Sequence, residues 1–149
     1  IHGHRNQWGM LTRSPALGMS FVAYQKLCRL AGADHLHVGG LNSKFYESNA
    51  SVIRSIAACA RPLFGGYATM PVVSSMQWAG SAPVTCEALG SVDLIHLAGG
   101  GMLAHPDGPA AGFESMKLGW EAAVRGIPLE DYASRHPALR RAIEKFGKG

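Results

Sequence analysis

The chain is expected to be an α/β protein assembled from parallel β/α units. Three observations lead there. Short apolar stretches alternate four times with longer helical ones, Gly and Pro mark the breaks between them, and polar residues gather where each apolar stretch ends. With 149 residues, 47% of them hydrophobic and 16% charged, the chain can form one packed core and is too apolar for intrinsic disorder. No apolar run approaches the roughly 20 residues of a membrane helix. The formal charge of +4 does not indicate nucleic acid, because Arg140, Arg141, Lys145 and Lys148 crowd the last ten positions and read as a solvated terminal helix. Cys28, Cys59 and Cys86 are odd in number and lack a C-x-x-C pair, so they are expected to be reduced and buried in a cytoplasmic protein.

The first strand covers residues 1–5, where apolar and polar residues alternate. Since Ile1 already belongs to that alternation, the chain is expected to begin inside a domain. A helix follows over 20–31, with Phe21, Tyr24, Leu27, Cys28 and Ala31 on one expected apolar face. The second strand, 34–38, sets His35 and His37 against Leu36 and Val38, and a polar loop leads to a helix over 50–61. The third strand, 69–74, follows the Gly65-Gly66 break and precedes a helix over 82–89. The fourth, 93–98, runs into Gly99-Gly100-Gly101 and is followed by a helix over 110–125. Residues 128–146 read as two short helices interrupted at His136-Pro137.

Two architectures suit such units. A doubly wound sheet buries both faces of its strands, which then read as continuous apolar runs. Here the first two strands carry His at alternate positions, the pattern of a (β/α)8 barrel whose strand ends hold the active site. A full barrel takes about 250 residues. The expectation is therefore the C-terminal half of a barrel, strands five to eight, over residues 1–127, with a helical tail over 128–149 and the rest missing.

The strand ends carry the candidate chemistry. His4 and Arg5 close the first strand, the guanidinium offering a planar fork for phosphate and the imidazole a proton carrier. His37 ends the second strand, and the loop from Gly39 delivers Lys44. Ser74 and Ser75 end the third as helix cap or sugar-hydroxyl partners. Three glycines after the fourth allow Gly99 and Gly100 to turn backbone N–H groups toward an anion. Asp34, Glu47, Asp93 and Asp107 are scattered, so no metal site is expected within this chain.

Taken together, H-x-H-R at residues 2–5, D-H-L-H with a glycine-rich loop and Lys44, P-V-x-S at 71–74, and Gly99–Gly101 with His105-Pro106 resemble the C-terminal barrel half of the ribulose bisphosphate carboxylase (RuBisCO) large chain over residues 1–125. The resemblance implies that Arg5 and His37 grip one phosphate of a sugar phosphate. It further implies that His4 lies near the substrate, Lys44 closes over it, Ser74 meets a sugar oxygen, and the Gly99 and Gly100 amides hold a second phosphate. Departures point away from carboxylation. Carboxylases read H-R-A-M-H where this chain has Trp8 in the later position, G-T-V-V-G-K-L-E-G where it has residues 39–47, and a glycine pair where it has Ser75-Met76. The pattern is similar to the RuBisCO-like proteins, implying enolisation or isomerisation of a phosphorylated ketose such as 5-methylthioribulose 1-phosphate. A true carboxylase fragment and a non-catalytic phosphate-binding half-barrel are the alternatives. Magnesium is implied for the complete protein with ligands upstream of Ile1, as is a homodimer; neither nucleic acid nor a membrane is an expected partner.

Overall fold

Four strands lie side by side in chain order, β1-β2-β3-β4, and every neighbouring pair is parallel. The computed structural model describes residues 1–14, 16–43 and 45–147. Its elements are β1 (His2–Gly3), α1 (Trp8–Thr12), α2 (Phe21–Leu30), β2 (His35–Gly39), α3 (Asn49–Ala60), β3 (Met70–Val73), α4 (Ser81–Leu89), β4 (Ile95–His96), α5 (Gly99–Leu103), α6 (Pro109–Arg125), α7 (Leu129–Ala133) and α8 (Pro137–Phe146). A doubly wound sheet reverses its strand order at a switch point, and none occurs here. Sequential parallel pairing is the wall of a barrel, and it brings the loops after all four strands to one rim.

Two helices, α2 and α3, start where a serine caps them. Ser20 Oγ accepts from the Ala23 N–H at 3.2 Å and Ser48 Oγ from the Ser51 N–H at 3.3 Å, each satisfying a first-turn donor of α2 or α3. At the other end of α3, Arg29 donates to the Ala58 carbonyl and, at 2.8 Å each, to those of Arg61 and Tyr67. A cation there both fills orphan acceptors and meets the negative end of the helix dipole. One core cluster joins β2, β3 and α3 through Leu36, Val38, Val52, Ile56 and Val73. A second joins α6 to the tail helices through Met116, Leu118, Ala133, Leu139 and Ala142. The two glycines inside α6 are packing devices. A Cβ on Gly112 would lie 2.2 Å from the Met102 carbonyl oxygen and one on Gly119 2.5 Å from that of Ala79, so α5 and the loop just before α4 sit against bare backbone.

Several expectations need correction. The buried stripe of α2 includes Phe21 and Gln25, whereas Leu27 is 56% exposed. Gln25 fits the interior because its amide donates to the Ser55 carbonyl and to Cys59 Sγ, both at 3.2 Å. All three cysteines are free, but only Cys59 is fully buried; Cys28 and Cys86 are half-buried. The strands β1 and β4, at the two edges of this sheet, are shorter than expected, two residues each, and short edge strands are common in native sheets. The helix α1 has no counterpart in the sequence reading. The glycine triplet is also helical, forming the first turn of α5.

Candidate active site

The rim is built outward from His37. This residue is 8% exposed in the middle of β2, with its ring against His2 of β1 and His4 just after it. Its Nε2 lies 2.8 Å from His2 Nε2, its Nδ1 lies 3.1 Å from Ser74 Oγ, and the His4 ring centroid is 4.7 Å away. Burial, with His4, His2 and Arg5 as further causes, lowers its pKa from 6.5 to about 4. A neutral imidazole donates from one nitrogen only. When His37 donates to His2 it must accept from the Ser74 hydroxyl, and when it donates to Ser74 it must accept from His2.

Arg5 lies beside this group and is partly committed. Its Nη2 donates to Glu47 Oε2 at 2.8 Å, in an ion pair whose side chains are 8% and 3% exposed. The second oxygen of Glu47 accepts from Ser51 Oγ at 2.9 Å. The guanidinium carbon stands 4.2 Å from the Trp8 ring centroid and 5.3 Å from that of Phe21, a stacked arrangement that suits its delocalised charge. Its Nη1 is buried and, among the described residues, has no hydrogen-bond partner. Gly39 makes room for it: φ there is +93°, at a bulge in the β2–β3 pairing, and a Cβ would fall 2.2 Å from Nη1.

The loop after β2 is fastened on both arms. The Asn42 N–H donates to Asn49 Oδ1 at 2.9 Å and Asn49 Nδ2 donates to Asn42 Oδ1 at 2.8 Å, a reciprocal amide clasp. Tyr46 stacks on Trp8 at 4.5 Å and its hydroxyl meets Thr12 Oγ1 at 3.0 Å. Trp8, which stands where the carboxylase pattern has a histidine, is thus a platform for both Arg5 and this loop. Lys44 lies outside the described residues.

The loops after β3 and β4 complete the rim. Ser74 is followed by two residues in left-handed conformation, Ser75 at φ 81° and Met76 at φ 53°. Such backbone costs a residue with a side chain of order 1 kcal/mol or more and is concentrated at functional sites. Gly99 and Gly100 are exposed, neither has a positive φ, and a Cβ on either would meet no described residue within 4 Å. Gly101 differs, since a Cβ there would fall 2.4 Å from the Gln77 carbonyl oxygen. Packing therefore requires the third glycine and not the first two.

Arg5, His4, His37 and Ser74 come together as expected, on three successive strands of one rim, with Gly99 and Gly100 after the fourth. Glu47, Gln77 and His96 were not anticipated. Glu47 looked like a scattered acid, while an odd polar residue among apolar neighbours was the available signal for the other two. Magnesium does not fit these residues: among those described, no three His, Cys, Asp or Glu side chains gather into a cation site. What the rim itself offers is anion binding and proton handling. Also among the described residues, no helix is long and apolar enough to cross a membrane.

Comparison with known proteins agrees with this geometry. Residues 1–146 match the family described as ribulose bisphosphate carboxylase large chain, catalytic domain. The chain is 46% identical over 151 residues to 3-oxo-isoapionate-4-phosphate decarboxylase of Rhizobium etli, covering 100% of this chain and 36% of the relative. It is 51% identical over 145 residues to 3-oxo-isoapionate-4-phosphate transcarboxylase/hydrolase of Xanthobacter autotrophicus, covering 96% and 35%. The crystal structure of a rubisco-like protein from Burkholderia fungorum superimposes with a TM-score of 0.91 at 52% identity, over 96% of this chain and 36% of that one. The chain thus spans about a third of the length of the curated relatives it matches. A barrel wall in sequential order, a rim that follows the family's motifs and a match across nearly every residue lead to one conclusion: the chain belongs to the ribulose bisphosphate carboxylase large-chain family, and its resemblance there is to the RuBisCO-like proteins.

Proposed function

We propose that this chain supplies the strand-five-to-eight half of the barrel in an enzyme that forms an enolate from a phosphorylated oxo-sugar acid and releases carbon dioxide. The observation that carries the reading is the pair of unused anion donors on one rim: the buried Arg5 Nη1, without a partner among the described residues, and two glycines that the packing of those residues does not require. A 3-oxo acid phosphate, the substrate class in the names of the two relatives, is anionic at both ends. A methylthio ketose phosphate is anionic at one end only.

In the proposed reaction the bond between the carboxylate carbon and its neighbour breaks and carbon dioxide leaves. The electron pair enters the enolate formed with the oxo group, and that carbon then takes up a proton. Arg5 and His37 hold the phosphate, which draws the guanidinium from Glu47; Ser74 donates to a sugar oxygen, and the Gly99 and Gly100 amides receive the other anionic end. His4, exposed and in ring contact with His37, handles the proton. By resemblance Lys44 closes over the substrate, and magnesium, whose ligands the resemblance puts outside this chain, would supply a Lewis acid to the complete protein. Enolisation of a ketose phosphate uses the same clamps, with a C–H bond breaking in place of C–C.

The test offers the complete protein a 3-oxo sugar-acid phosphate, 5-methylthioribulose 1-phosphate and ribulose 1,5-bisphosphate, following carbon dioxide release, solvent deuterium uptake and carbon dioxide fixation. Release from the first supports the reading. Deuterium uptake confined to the second moves the assignment to enolisation, fixation on the third makes the protein a carboxylase, and no reaction with any leaves a phosphate-binding half-barrel.

A further inference from the structure

Gln77 lies outside the clamps just described, yet three of the rim loops meet on it. It is 2% exposed, and its Nε2 donates to the Ser75 carbonyl at 2.6 Å and to the Leu41 carbonyl at 3.5 Å. Its Oε1 faces His96 Nε2 at 3.1 Å, and His96 Nδ1 accepts from Trp120 Nε1 at 2.8 Å. The polarity of this chain is fixed from one end. An indole nitrogen only donates, so His96 Nδ1 carries no proton, its Nε2–H must point to an acceptor, and the Gln77 amide is forced to aim its NH2 at the two carbonyls. His96 stays neutral through burial, its pKa lowered to about 4. The backbone closes in from two further sides. A Cβ on Gly40 would come within 2.3 Å of Gln77 Nε2, and one on Gly101 within 2.4 Å of the Gln77 carbonyl oxygen.

The turn that Gln77 holds is the strained one. Ser75 and Met76 are both left-handed, and in neither does the side chain favour that conformation. The Ser75 carbonyl, turned inward by that conformation, is where the amide is anchored. We propose that Gln77, oriented by His96 and Trp120, is a positioning residue that holds the Ser75–Met76 turn in its left-handed form and locks it to the loop after β2, thereby aiming Ser74 into the site. The inference rests on the reading that Ser74 contacts the substrate.

The test compares Gln77→Leu, Trp120→Phe and the double variant Gln77→Leu/Met76→Gly in the complete protein. Glycine takes the left-handed conformation without steric cost, so it replaces what the amide enforces. Turnover with the 3-oxo sugar-acid phosphate is expected to fall about 10-fold to 100-fold in Gln77→Leu, the scale of a small misplacement of a reacting group, with a smaller change in KM. It should fall less in Trp120→Phe and recover most of its value in the double variant. Backbone hydrogen exchange, which needs no substrate, should rise at least about tenfold over residues 40–42 and 74–77 in Gln77→Leu, with α7 and α8 unchanged. Turnover within twofold of wild type in Gln77→Leu overturns the proposal, as does a double variant that folds without recovering. If wild type turns over no phosphorylated oxo-sugar, the functional reading has failed and exchange alone decides: unchanged protection in Gln77→Leu refutes the positioning role, and loss confined to the two loops upholds it.

Discussion

Replacing Glu47 by Gln tests whether Arg5 is an anion site held in reserve. The Arg5 and Glu47 side chains are 8% and 3% exposed, and breaking so buried a pair from one side costs about 3–5 kcal/mol. Two features reduce that figure. The Trp8 face at 4.2 Å still shelters the cation, and a Gln oxygen still accepts from Nη2, as a neutral bond about half as strong as the charge-assisted one. The expected loss is about 2–3 kcal/mol. With a urea slope of about 2 kcal/mol/M for a chain of this size, the midpoint moves down by about 1–1.5 M, followed by tryptophan fluorescence. Phosphate should then reverse part of the loss. At ten times its dissociation constant it contributes about 1.4 kcal/mol, and the gain should be larger in Glu47→Gln than in wild type, where the carboxylate competes for the same guanidinium. Equal stabilisation of both by phosphate, or a midpoint unchanged within about 0.2 M, would refute the idea of Arg5 as a displaceable anion site.

Gly99→Ala and Gly100→Ala should leave the fold intact or slightly firmer, because the added methyl meets no described residue within 4 Å and alanine exceeds glycine in helix propensity by about 1 kcal/mol. Phosphate or substrate affinity, measured by calorimetry, should nonetheless fall about tenfold; unchanged affinity would remove these amides from the site. His96 has a folded pKa of about 4 against 6.5 when unfolded, so the unfolded chain binds its proton first as pH falls. The His96 contribution is then complete above pH 6.5 and declines down to about pH 4 by on the order of 2–3 kcal/mol; His37, lowered over the same range, adds a similar slope, so His96→Gln should reduce the pH dependence of the urea midpoint by about half. Lys44→Met in the complete protein should depress turnover far more than substrate binding, the mark of a contact made mainly in the transition state; a matched loss in both would assign the lysine to binding.

The parts of this molecule legible in the sequence are those governed by local pattern. The helix ranges at 20–31 and 50–61, the apolar run of β3 and the break at His136-Pro137 all express short-range rules, and the structure follows them within a residue or two. The misreadings share a different origin. Glycine is a poor helix former, so Gly99–Gly101 read as a loop of backbone N–H groups and not as helix, yet the close approach of Gly101 to Gln77 and of Gly112 to Met102 accompanies a short helix there. Leu27 sits at the right helical spacing for burial, but Gln25 takes the inward position through bonds to Ser55 and Cys59 that no periodicity reveals. Among the rim residues, His4, Arg5, His37 and Ser74 stand out because polar groups at strand ends break an apolar pattern. Glu47 does not, since its partner Arg5 lies 42 residues away and only the folded chain brings them together.

The sequential order of the sheet also has a kinetic meaning. His2 pairs with His35, His35 with Met70, and Val72 with Ile95, so each strand waits only for the next unit of about thirty residues to be made. Loop closure over such a span costs little more at one step than at another, because the entropic penalty grows only with the logarithm of length. Among these four strands assembly can therefore proceed one β/α unit docking on the last, while in a closed barrel the outer edges of β1 and β4 wait for strands outside this chain. The growing edge is always the newest strand, and β4 is the last edge this chain presents.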